Sequence, residues 1–351
     1  MKAWVLHEIG DLRYEEVDMP KIKENEVLVA VKAAGICGSD IPRIYQTGTH
    51  KMPLIPGHEF SGKVVQTGKK TDSSWMGAKV GIFPLIPCKE CEPCAKNLYE
   101  MCRNYSYLGS RQNGAFAEYV AVPEWNLIRL PECVSYEAAA MLEPMSVAVH
   151  AMRRVEPKIE DRVVVCGLGT IGMLLLMFLL DVGIKDVLVV GNKEFQKNIV
   201  LQMGLDEKQY CDSKTRDVKQ WILEQTNGKG TDVFFECVGK NETVVQAIDS
   251  VAFEGKICLV GNPHFDMQFE KSVYWKILRN QLVITGTWNS SFTHREQDDW
   301  HYVLKRLETT KLFPEVLISH QYPISALEQG LLAMQDKLEG YVKIMIHEEY
   351  R

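Results

Sequence analysis

The chain has 351 residues, enough for about two domains, with 46% hydrophobic and 25% charged residues and a formal net charge of −6. Acids and bases are interspersed, which argues against a nucleic-acid backbone or an anionic membrane as the main partner. The longest apolar run, Met173 to Leu180, is far short of the roughly 20 residues a bilayer span needs, and the N-terminus meets acids and a glycine before an export signal could form. A soluble, cytoplasmic protein is expected, with no membrane and no nucleic-acid partner.

From the start to about residue 150, short apolar–polar alternations dominate. Lys2–Leu6 and Glu26–Val31 read as strands broken by turns at Gly10-Asp11 and Pro20. Glu59–Val65, Ala78–Phe83 and Gly114–Val120 continue in the same glycine-rich style, so a mostly β, barrel-like domain is expected. Within it, Cys37 and the pair His58-Glu59 offer a thiol, an imidazole and a carboxylate suited to one zinc ion.

Cys88, Cys91, Cys94 and Cys102 follow at spacings of three, three and eight, in a segment almost without apolar residues. Four thiolates on one tetrahedral zinc would supply the missing cross-links. An iron–sulfur cluster is the chemical alternative, and a nucleic-acid-binding zinc ribbon is opposed by the acidic lobe.

After Pro144 the texture changes. Ser146–Arg154 reads as helix and Arg162–Cys166 as a buried strand. Gly167-Leu168-Gly169-Thr170-Ile171-Gly172 then leads into the apolar helix Met173–Val182 and a second strand, Asp186–Val190. Strand, glycine-rich turn, helix and strand within about thirty residues is the dinucleotide-binding arrangement, in which backbone N–H groups and the helix N-terminus meet a pyrophosphate. Further strands at Thr231–Val238, Lys256–Val260 and Leu282–Thr285 alternate with helices, as in a doubly wound parallel sheet. His301–Leu307 reads as helix, and Lys343–Ile346 as a last strand returning to the first domain.

Cys37-Gly-Ser-Asp40, Gly57-His-Glu59, the four-thiol lobe, Glu143 and the glycine-rich turn occur in one order that resembles the zinc-dependent medium-chain dehydrogenase/reductase family, over essentially the whole chain. Cys37–Ile44, Pro84–Cys88, Leu108–Arg111, Gly114–Tyr119 and Ile284–Trp288 resemble its polyol branch, including members that act on sugar phosphates.

The resemblance implies α/β plus β architecture: a GroES-like catalytic domain (1–148), an inserted Rossmann domain (149–286) and a C-terminal segment (287–351) returning to the first. It also implies two zinc ions per chain, one catalytic and one structural, and a homodimer or homotetramer. The activity implied is hydride transfer between a nicotinamide cofactor and a secondary alcohol or ketone of a polyol or sugar phosphate. The alternatives are an NAD-dependent enzyme of an unphosphorylated polyol and a zinc-stabilised protein that binds dinucleotide without turnover.

By the same resemblance Cys37 and His58 are catalytic-zinc ligands, Glu143 is the third, and Glu59 either binds the metal or stands just behind it. Adjacent residues such as His58 and Glu59 rarely aim at one ion, which favours Glu143. Asp40 would orient the ligating histidine or cap a turn. Ser39 would take the alcohol proton, although Pro42 stands where many relatives continue that relay with a histidine.

At the end of the second nucleotide-domain strand, Val190-Gly191-Asn192-Lys193 lacks the acid that binds ribose hydroxyls in NAD enzymes. Asn192 and Lys193 suit a 2′-phosphate, so NADP(H) is expected, with NAD and a solvated lysine as the alternative. Arg279 matches a position that reaches the cofactor phosphates or is a helix-end surface arginine. Ser110 and Arg111 lie in the sugar-phosphate-like stretch, where the guanidinium either binds a substrate phosphate or forms a loop ion pair.

Overall fold

A computed structural model describes residues 1–351 except 264, 310–311, 337–339 and 349–351. It resolves into two compact units, 1–143 with 291–351, and 144–290.

The first unit is built around the strand Glu26–Ile36, whose Val27, Val29 and Val31 turn into the core at every second position. It pairs antiparallel with Glu59–Thr67, Tyr119–Pro123 and Lys343–His347, so the last expected strand does return to this sheet. The sheet order is Ile318–Pro323, Lys343–His347, Glu26–Ile36, Glu59–Thr67, Lys79–Ile82, Leu127–Arg129.

One expected strand differs. Gly114–Ala117 does not join this sheet, and the strand begins only at Tyr119. Its backbone is used elsewhere: the N–H groups of Gly114, Ala115 and Phe116 donate to the carbonyls of Ile55, Gly57 and Pro56. That segment therefore braces the loop leading into His58.

The second unit holds an all-parallel six-stranded sheet. Its order is Tyr210–Asp212, Val187–Gly191, Val163–Cys166, Thr231–Glu236, Val251–Leu259, Val283–Gly286. Numbered within the unit this is 3-2-1-4-5-6, the doubly wound order whose switch point lies between Val163–Cys166 and Thr231–Glu236. Val163, Val164 and Val165 are each fully buried, which is why the first strand reads as an unbroken apolar run. The following helix, Thr170–Asp181, starts inside the glycine-rich turn. No helix among the described residues is long and apolar enough to cross a membrane.

Candidate metal centre and nucleotide turn

The antiparallel register that pairs Gly35 with Glu59 brings the residues just beyond it, Cys37 and His58, to one end of the sheet. Gly57 turns the chain at φ 95°, a conformation that favours glycine, and an added Cβ would lie 2.7 Å from the Phe116 ring. His58 thus enters outside the strand while Glu59 begins it, and the two converge after all. Ligand atoms of Cys37, His58 and Glu59 all lie within 4.8 Å of one another. A metal with bonds of about 2.0–2.3 Å draws such donors together with small side-chain shifts. The donor set fits zinc.

Glu143 stands beside this trio rather than in it. It is buried and accepts a hydrogen bond from the Tyr107 hydroxyl at 3.3 Å. Burial pushes its pKa up to about 7; His58, Lys343 and Tyr107 pull it down while Glu59 adds to the rise. The Tyr107 ring is 5.7 Å from the His58 ring, and burial raises its hydroxyl well above the ordinary range.

Asp40 is fully buried. One of its oxygens accepts from the Cys37 N–H at 3.0 Å, and the other lies 3.4 Å from His58 Nδ1 and 3.6 Å from Arg43. Burial works against its charge, yet His58 and Arg43 hold its pKa below the usual carboxylate value. Burial likewise opposes an imidazolium at His58, but Asp40 and Cys37 win and raise its pKa well above 6.5 in the metal-free chain. Asp40 therefore faces Nδ1, which leaves Nε2 available to a metal. Ser39 Oγ donates to Cys37 Sγ at 3.2 Å.

Two residues that sequence reasoning passed over complete the site. Arg43 Nη1 lies 3.5 Å from His58 Nδ1. Lys343 is 1% exposed and donates to the Ile36 carbonyl at 3.1 Å and to Glu59 Oε2. The available signal for Lys343 was a lysine inside the apolar run Tyr341–Ile346.

Ser110 is buried, and Arg111 lies in the same turn as Tyr107, donating its N–H to the Tyr107 carbonyl at 2.9 Å. Its guanidinium stacks 4.5 Å from the Tyr105 ring centroid. Its buried Nε has no hydrogen-bond partner, and the residue forms no ion pair among the described residues.

The four sulfurs of Cys88, Cys91, Cys94 and Cys102 are 3.5, 3.5, 3.8 and 4.0 Å apart along four edges of the cluster. A tetrahedron with bonds of about 2.3 Å has edges of about 3.8 Å, so this set also fits zinc. Backbone hydrogen bonds lower the Cys91 pKa to about 6, while burial raises that of Cys94 to about 12. Four thiolates here need a cation.

In the glycine-rich turn, two glycines answer to the chain's own packing. Gly167 has φ 101° with Val238 2.7 Å from an added Cβ, and a Cβ at Gly172 would overlap the Gly167 carbonyl. Gly169 differs: it precedes the first helical residue, Thr170, and a Cβ there would meet nothing within 4 Å. With Leu168 and Ile171 buried or half-buried around it, the open backbone suits a pyrophosphate.

Asn192 and Lys193 lie between the strand Val187–Gly191 and the helix Glu194–Gln202, with Lys193 Nζ 5.5 Å from the Phe195 ring centroid. Arg279 does not join them. It ends the helix Lys271–Arg279, and the next residue, Asn280, accepts from Glu254 near the N-terminal end of a parallel strand. The glycine-rich turn lies at the strands' C-terminal ends, so Arg279 sits at the opposite end of the sheet.

Residues 23–132 match the family described as alcohol dehydrogenase GroES-like domain, and residues 170–309 that described as zinc-binding dehydrogenase. Galactitol 1-phosphate 5-dehydrogenase of Escherichia coli K12 is 30% identical over 94% of this chain and 95% of its own length. L-idonate 5-dehydrogenase of Vitis vinifera is 29% identical over 93% and 88%. The crystal structure of the Escherichia coli galactitol-1-phosphate dehydrogenase superposes with a TM-score of 0.91 at 30% identity, covering 99% of this chain and 100% of that one. The chain belongs to the zinc-dependent medium-chain dehydrogenase/reductase family, as an alcohol or polyol dehydrogenase acting on CH–OH with a nicotinamide cofactor.

Proposed function

We propose that this chain oxidises a secondary alcohol of a polyol phosphate, or reduces the matching ketone, with NADP(H). The observation that carries the phosphate reading is Arg111, a cation without an acidic partner among the described residues, in the turn whose Tyr107 lies against His58. A guanidinium so placed matches a phosphate by charge-assisted, bidentate hydrogen bonds, with the buried Ser110 hydroxyl beside it. The relative named for a phosphorylated polyol supports the same class.

Cys37 and His58 hold one zinc, and Cys88, Cys91, Cys94 and Cys102 a second with a structural role. Glu59 is the third donor of the first site on present spacing, and Glu143, protonated up to about pH 7, is the carboxyl that can replace it. Zinc at the first site supplies Lewis acidity that makes a bound hydroxyl easier to deprotonate. Asp40 fixes the His58 ring, and Ser39 turns from the Cys37 sulfur to accept the alcohol proton. Pro42 has no side-chain acceptor to continue the relay, so Ser39 passes that proton to water or to a ribose hydroxyl of the cofactor.

The backbone of Gly167, Leu168, Gly169, Thr170, Ile171 and Gly172 cradles the cofactor pyrophosphate, and Lys193 with Asn192 meets the 2′-phosphate. A second copy docks on the sheet-edge strand Val283–Gly286, where Val283 is 51% exposed and the preceding helix leaves Tyr274, Trp275 and Leu278 exposed. A spectrophotometric screen tests the reading, pairing NADP and NAD with polyols, polyol phosphates and simple secondary alcohols. Higher kcat/KM with NADP and a phosphorylated polyol is expected. A preference for NAD overturns the cofactor part, and equal use of unphosphorylated polyols overturns the phosphate part.

A further inference from the structure

Lys343 is a buried lysine inside the otherwise apolar run Tyr341–Ile346. An isolated ammonium there would cost several kcal/mol, so something must hold it. Its Nζ has two acceptors, the Ile36 carbonyl at 3.1 Å and Glu59 Oε2. Glu59 is equally buried, at 1% exposure. Space for the pair is cut into the sheet at Gly35, where an added Cβ would collide with Glu59 Oε2 and lie 3.2 Å from Lys343 Cε and Nζ. The cation also lies within electrostatic reach of Cys37 and Glu143. A metal ion at Cys37–His58–Glu59 and the Lys343 ammonium therefore want the same carboxylate.

We propose that Lys343 is a positioning residue, the internal counter-ion of Glu59: it neutralises that carboxylate in the metal-free chain and competes with the divalent ion for it. Lys343 then lowers the site's affinity for zinc and keeps the metal-free pocket folded. The inference rests on reading Cys37, His58 and Glu59 as a metal site. Removing the positive charge should tighten zinc binding while harming only the metal-free form. A purely structural lysine would weaken both forms alike.

The test measures zinc affinity by competition with a fluorescent chelator, using Cys37→Ser as the blank for the four-thiol lobe, together with Tm in the zinc-loaded and zinc-depleted states. Lys343→Met is expected to bind zinc more tightly by about tenfold or more. Its Tm gap between loaded and depleted forms should widen, and Lys343→Arg should restore native behaviour in part. Equal Tm losses in both states with unchanged zinc affinity would overturn the role of Lys343. A native chain binding no more zinc than Cys37→Ser would instead overturn the metal reading itself.

If Lys343→Met does not fold, Glu59→Gln and Glu59→Gln/Lys343→Met carry the question. The double variant leaves neither charge alone, so in the zinc-depleted state it should be more stable than Glu59→Gln. The reverse order sinks the proposal.

Discussion

The four-thiol lobe and the Cys37–His58–Glu59 pocket each offer a set of metal donors, but they are assembled in opposite ways. The lobe takes all four from residues 88–102, all of them sulfur and spaced like the corners of a tetrahedron. The pocket takes a thiol, an imidazole and a carboxylate from the neighbouring ends of two strands, then adds Asp40, Glu143 and Lys343 from further along the chain. A set that satisfies a metal by itself is a cross-link. A mixed set with a spare carboxyl and a competing cation is built for exchange.

The comparison fails if both sites respond alike to losing one donor. Cys37→Ser should cut turnover by about a thousandfold or more, about 4 kcal/mol of barrier, while moving Tm little. Cys94→Ser should do the converse in kind, releasing the lobe's zinc and destabilising the chain by about 3 kcal/mol or more, as read by metal content and denaturant unfolding.

The pocket also predicts a pH dependence that the lobe does not share. Glu143 titrates near 7 in the folded chain against 4.5 ordinarily, so the folded form gives up its proton less readily than the unfolded one. Its cost is absent below pH 4.5 and grows as pH rises to about 7. The metal-free chain should lose about 3 kcal/mol across that window, and Glu143→Gln should flatten the profile of unfolding free energy against pH.

The smallest effect expected is at Arg111. Its change to Ala should raise KM for a polyol phosphate by about tenfold to a hundredfold, the worth of charge-assisted hydrogen bonds, and leave KM for the parent polyol within about twofold. Unchanged KM for the phosphate would return Arg111 to a packing role against Tyr105.

What could be read from the sequence follows from how far apart the partners lie. The lobe's spacing and the strand–turn–helix at Gly167–Gly172 are local, and both stand where they were expected. The pocket was legible at Cys37 and His58, because those carry the chemistry in their side chains. Lys343 was not, since it meets Glu59 across 284 residues of chain through a strand pairing that no local pattern reveals. The convergence of His58 and Glu59 was misjudged because a regular strand sends neighbours to opposite faces, whereas Gly57 turns the chain and His58 lies outside the strand. Arg279 shows the reverse error. Its match to a family position near the cofactor phosphates gives way to its alternative, a helix-end arginine, because a helix following a parallel strand runs back to the far end of the sheet, carrying its last residue away from the nucleotide turn.

The strand Lys343–His347 has a practical consequence for anyone handling this protein. Clipping the chain just before it, by a protease or a premature stop, would remove one neighbour of Glu26–Ile36 and lay that strand's edge bare for pairing with other chains. The same cut would strip Glu59 of Lys343, its only ion-pair partner among the described residues. Such a shortened product would combine a sticky edge with a buried, uncompensated carboxylate, so it would be expected to precipitate during purification rather than persist as a weakened enzyme.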